Sequence, residues 1–164
     1  MASLKLRLLT VLSLLTLFLS IIPVVFAQSP ESFGLTPQKT LPGSSGYVFK
    51  RLKEKITEFF KFSKQAKFYY RLQLTEKRLS ELASLVEAKS INEIANSSQR
   101  FAYQAGILAE NAFNEENKTI VISNFEKYKP VLEKLRDNFP ANSPFWLLTQ
   151  QDIDTLNILS SKIK

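Results

Sequence analysis

A chain of 164 residues with no histidine and no cysteine lacks the commonest general base, the thiolate nucleophile and the best transition-metal ligands. Disulfides are excluded too, so packing alone must hold what its length allows, one domain of ordinary size. Its 22 Lys and Arg against 15 Asp and Glu give a net charge of +7, which makes salt matter to whatever it binds.

Residues 1–27 have the layout of a secretory signal: Lys5 and Arg7, an apolar run over 8–22, Pro23, then small Val25 and Ala27 where a signal peptidase inspects the chain. Cleavage before Gln28 is the expectation. The alternative is an uncleaved anchor, because residues 8–27 carry no charge and about 20 apolar residues suffice to cross a bilayer as a helix. Both readings place the rest outside the cytoplasm, secreted or held at a membrane by the N-terminal segment. Loss of the leader removes two bases and no acid, leaving +5.

Residues 28–43, with Pro30, Gly34, Pro37, Pro42 and Gly43 and no sustained apolar period, read as a flexible linker before a helical domain over 44–164. Ser44 or Ser45 can cap a first helix over about 45–60, along which Phe49, Leu52, Ile56 and Phe59 recur at helical spacing. Ser63 offers the next cap. Behind it Phe68, Leu72, Thr75, Leu79, Leu82 and Val86 alternate by fours and threes, a heptad seam.

Ser90 precedes a seam of the same kind through Ile91, Ile94, Ser98, Phe101, Ala105, Leu108 and Ala112. A break this short predicts a long antiparallel hairpin with arms of about 35 Å, closely packed where Ala95, Ala102, Ala105, Ala109 and Ala112 crowd the second arm. After a polar cluster at 114–118, Val121, Phe125, Tyr128, Leu132, Leu135 and Phe139 form a further seam. Pro130 should kink it near Glu126 or start a new helix. Ser143 before Pro144 is a strong start for a last helix carrying Ile153, Leu156 and Ile163. No alternating strand pattern occurs, so the expected fold is all-α, the hairpin lying within a four- to five-helix bundle.

Three blocks, Leu41-Pro42-Gly43-Ser44-Ser45-Gly46-Tyr47, Lys50-Arg51-Leu52-Lys53-Glu54-Lys55-Ile56, and residues 72–82 from Leu72-Gln73-Leu74 to Leu82, resemble a prokaryotic helical domain-of-unknown-function family. The resemblance covers about 41–139. It implies an envelope location behind a signal peptide or anchor and a helical hairpin, with no assigned activity. Gly46 departs from the family, whose members often carry proline there.

Charge is uneven along the chain: residues 50–78 hold ten Lys or Arg against Glu54, Glu58 and Glu76, whereas nine bases meet eleven acids from residue 79 on. In the basic stretch, Lys50, Arg51, Lys53, Lys55, Lys61, Lys64, Lys67 and Arg71 interleave with Phe49, Phe59, Phe60, Phe62, Phe68, Tyr69 and Tyr70. These eight cations are the candidate anionic-surface site. Phenylalanines can insert at a headgroup boundary while each basic residue near anionic lipid is worth about 1 kcal/mol. Anionic cell-wall polymer would attract the same patch, and the seams leave a protein partner or self-association open; nucleic acid is disfavoured by the address. Against this stands a plainer reading, favoured by the helical spacing, in which Phe59, Phe60 and Phe68 belong to the core and the lysines merely solvate the outside.

Catalysis has little to work with. Serines fall mainly at caps and linkers, and Glu115-Glu116 and Asp152-x-Asp154 read as solvated surface charge rather than a calcium loop. No enzyme activity, metal or cofactor is expected. The function expected is a binding or scaffolding module. A helical-hairpin chaperone or stress sensor with Leu-Thr-x-x-Gln repeats is the alternative, but Leu74-Thr75-Glu76-Lys77-Arg78 and Leu148-Thr149-Gln150-Gln151-Asp152 both lack the final glutamine.

Overall fold

A computed structural model describes residues 29–164, and the leader read at residues 1–27 lies outside the described residues. The fold is all-α, as the periodicity predicts: a 3-10 turn at Pro30–Phe33, then α1 Tyr47–Phe59, α2 Lys64–Glu87, α3 Ile91–Glu110, α4 Glu115–Arg136 and α5 Pro144–Ile163, with no strand among the described residues. No helix among them is long and apolar enough to cross a membrane.

Helix starts follow local chemistry. Ser63 accepts a hydrogen bond from the Ala66 amide at 3.0 Å, and Asn114 accepts from Asn117 at 2.8 Å. Ser143 accepts from Trp146 at 3.4 Å, with Pro144 preset at the first helical position. Ser90 stands at the start of α3, but its side chain makes no capping bond. The reversal is built by the backbone instead: Lys89 adopts φ +52°, its amide bonds the Val86 carbonyl at 3.1 Å, and the Ser90 amide bonds that of Leu85 at 2.9 Å. This is the Schellman closure, with lysine where glycine is usual.

The hairpin of α2 and α3 is the most extensively packed helix pair, followed by α4 with α5 and α3 with α5, while α2 and α4 close a ring of four helices. Its core is the seam residues: Phe68, Leu79, Leu82, Val86, Ile94, Phe101, Ala105, Leu108, Val121, Phe125, Leu132, Leu135, Ile153 and Leu156 are all buried. Ile91, at the first seam position of α3, stays exposed. α4 does not restart at Pro130 but runs through it. The proline lies on the exposed side, where water can serve the carbonyl it leaves free, while Val131 and Leu132 directly after it are buried.

Two expectations about the N-terminal part need correction. Residues 29–43 do not behave as a loose linker in this structure: Pro30, Leu35 and Pro42 are buried, and Phe33 and Leu41 pack against the core. The Ser80 hydroxyl donates to the Thr36 carbonyl, and Ser84 Oγ accepts from the Gln38 amide at 3.4 Å, so α2 itself satisfies backbone groups of this strap. Apolar residues in such a strap need no period, which is why none marks it. Neither serine caps α1, which begins at Tyr47 behind Gly46; Ser44 Oγ donates to the Leu41 carbonyl at 2.7 Å in the preceding turn.

Candidate functional site

α1 inverts the pattern of the bundle. Of its residues only Tyr47 and Glu54 are buried, whereas Phe49, Leu52, Ile56 and Phe59, the residues read at helical spacing, are exposed, as is Val48; for Phe49 and Phe59 the exposure is about three quarters (74 % and 75 %). At about 100° per residue these five, with Phe60, occupy one arc of roughly 120°, and Tyr47 and Glu54 stand opposite. The expectation that Phe59 and Phe60 join the core is thus not met, while Phe68 is buried as that reading required.

A cluster of charges holds the inner face. Arg78 of α2 is 1 % exposed and bridges two carboxylates, Glu54 of α1 and, at 2.6 Å, Glu81 of its own helix. Glu54 also takes Lys77 at 2.7 Å and Arg51 at 3.0 Å. Glu81 takes Lys50 at 2.7 Å and accepts the Tyr47 phenol at 2.9 Å. Burial and the Glu81 carboxylate push the Tyr47 phenol well above its ordinary value, so it stays a donor. Arg100 of α3 lies over the Tyr47 ring, 5.0 Å from its centroid. Four cations thus surround two buried carboxylates, each carboxylate ion-paired with more than one of them, the condition under which buried charge is tolerated, although Glu54 Oε1 and Arg100 Nη1 are buried without a hydrogen bond.

The structure sorts the eight candidate cations into two groups. Lys50, Arg51 and Arg71 are committed inward, the last to Glu58 at 2.6 Å. Lys53, Lys55, Lys61, Lys64 and Lys67 have no ion pair with an acid among the described residues; Lys61 lies over the Tyr70 ring at 5.8 Å. Lys53 and Lys55 flank the apolar arc on its two sides. Beyond α1 the aromatic surface continues through Phe60 to Phe62, which is 85 % exposed. Separately, at the α3–α4 turn, Phe113 sits edge-on to the buried Phe68 with ring centroids 6.5 Å apart.

The turn before α1 is shaped to dock this unit. Gly43 has φ +87°, and a Cβ there would lie 3.0 Å from Glu93 Cγ, so the Leu41-Pro42-Gly43-Ser44 turn fits against the start of α3. No sequence pattern marks the inner cluster: Arg51 and Glu54, like Arg78 and Glu81, stand at the i, i+3 spacing of ordinary helix-surface charge. Asp152 of α5 is a second surprise, 2 % exposed with its carboxyl held up to about 7 by burial, the Ser98 hydroxyl pulling the other way.

Fold and site together define a small helical bundle that carries an outward-facing basic aromatic helix on a buried ion cluster. The chain belongs to the family described as Domain of unknown function (DUF5667), whose model matches residues 39–142. That span takes in α1 to α4 and the whole ion cluster and ends before α5. No curated protein and no solved structure matches the chain.

Proposed function

We propose that this domain is a non-catalytic binding module that works at the cell envelope, exported or anchored by its N-terminal segment, with α1 as its contact face on an anionic lipid surface. The observation that carries the reading is the outward apolar arc of α1 between Lys53 and Lys55. Leaving a Val, Leu, Ile or Phe side chain in water forgoes about 1.5–3 kcal/mol relative to full burial, and an apolar patch this continuous marks a contact surface. Flanking ammonium groups suit an interface whose counter-charge is negative. The leader read from residues 1–27 supports the same address. A holdase fits less well, because the apolar surface is the outer face of one helix rather than a concavity that could enclose a client.

Vesicle co-sedimentation tests the proposal. The protein should bind vesicles containing phosphatidylglycerol, detach in high salt, and ignore phosphatidylcholine alone. Because Lys50 and Arg51 hold the fold, the informative changes are Phe49→Ser with Phe59→Ser, and Lys53→Gln with Lys55→Gln. Each pair should abolish binding with helicity intact; binding that survives both would remove α1 from the reading.

A further inference from the structure

One flank of α1 closes an open cleft of about 380 Å³ against α2 and the strap, lined by Lys39, Lys50, Lys53, Lys77, Thr57 and Tyr70 and floored by Glu54. Most of its hydrogen-bonding capacity is spent. The Lys50 ammonium is used by Glu81, by Gln38 at 3.0 Å and by the Thr40 carbonyl at 2.8 Å. The Tyr70 phenol donates to the Glu54 carbonyl at 3.1 Å and the Thr57 hydroxyl to that of Lys53 at 2.8 Å. Of the Glu54 carboxylate, Oε2 accepts from Arg78 and Arg51, while Oε1 has only the Lys77 ammonium as ion partner at 2.7 Å. Lys39 and Lys53 have no ion pair among the described residues, and Lys77 pairs with Glu54 by charge alone, its ammonium making no hydrogen bond there.

What the cleft still offers is therefore three ammonium groups, carried by three different segments, against the single Glu54 oxygen that Lys77 already neutralises. Such a set fits a small oxyanion able to accept from several directions, and lysine is a point-charge binder of phosphate. The cleft also shares its rim with the apolar arc, since Lys53 neighbours Phe49 and Phe60 around α1. An anion held there would have greasy surface beside it. That juxtaposition is the geometry of a lipid headgroup and its acyl region.

We infer that the Lys39–Lys53–Lys77 cleft binds the phosphodiester headgroup of an anionic phospholipid, α1 lying along the leaflet beside it. This rests on the surface-binding reading above and adds to it a saturable site. Bulk attraction would engage every exposed lysine alike; the cleft selects three.

Lysine side-chain NMR on the full chain in uncharged maltoside micelles tests it, with glycerophosphoglycerol, the deacylated headgroup, as the probe at constant ionic strength. Saturable shifts confined to Lys39, Lys53 and Lys77 are expected. Lys39→Gln with Lys53→Gln should weaken binding by about tenfold or more, as expected for lost charge-assisted hydrogen bonds, without loss of helicity. Lys162→Gln, in the last turn of α5 and outside the cleft's lining, should change nothing. Shifts that rise without saturation, or that spread equally to Lys55 and Lys64, or that survive the double change, overturn the cleft. If they do so while vesicles still bind through α1, the surface reading stands and only the site falls. Phosphatidylglycerol vesicles should displace the probe; a saturable probe that vesicles cannot displace overturns the lipid assignment and makes the ligand a soluble phosphate or a wall polymer.

Discussion

The α2–α3 hairpin and α1 carry the same kind of apolar spacing, yet the hairpin buries its seam and α1 turns its seam outward. In the hairpin each seam meets another, so Leu79, Leu82, Phe101 and Leu108 are fully enclosed. α1 instead faces the side of α2 that presents Arg78 and Glu81, and a buried charge left without its partners costs more than most single apolar contacts return. Helical period reports which residues share a face. It does not report which face a neighbour will accept.

The comparison can be broken from either side. Phe101→Ala, which hollows the hairpin core, should cost about 3–5 kcal/mol in denaturant unfolding. Arg78→Ala should cost about as much, because it strands Glu54 and Glu81 in the interior, and it should in addition accelerate hydrogen exchange in α1 far more than in α3. An Arg78→Ala protein with α1 as protected as before would show that the ion cluster does not hold that helix.

Asp152 gives the next largest effect, through pH. With its folded value near 7 against an ordinary 3.8, the folded chain keeps a proton that the unfolded chain has lost, so stability falls as pH rises through that window and stays low above it. Asp152→Asn, neutral throughout, should flatten the profile and recover up to about 4 kcal/mol at pH 8 relative to the parent. Parallel profiles for parent and variant would mean that the carboxylate ionises at its ordinary pH.

Gly43→Ala should cost about 1–2 kcal/mol, since a left-handed backbone and the Glu93 side chain both oppose a Cβ there. Smallest of all should be Phe49→Ala. On the outward arc it should move the unfolding free energy by less than about 0.5 kcal/mol, against the several expected for Phe101, although both occupy predicted seams. A large loss at Phe49 would mean that the arc is packed in solution, by a second copy or otherwise.

Much of the fold was legible because its causes are local or periodic. Ser63, Asn114 and Ser143 lie where their helices start, and the seam positions of α2, α3 and α4 are the core. The strap escaped notice because Leu35 and Pro42 are buried singly, with Ser80 and Ser84 of α2 serving its backbone. Of the site, the basic aromatic composition was legible but its sorting was not. Nothing around Lys50 distinguishes it from Lys53, yet one is tied to Glu81 and the other stands free beside the cleft.

By itself the sequence determined that the chain is helical, that it reverses near residue 89, and that cations crowd residues 50–78, because propensity, capping and heptad spacing act within a few residues of chain. Only the tertiary structure decided that Glu54 meets Arg78, and with it which side of α1 faces water. That choice joins residues 24 positions apart, and the cost of leaving a buried guanidinium without its carboxylate, which sets it, exists only once α2 has taken its place in the bundle.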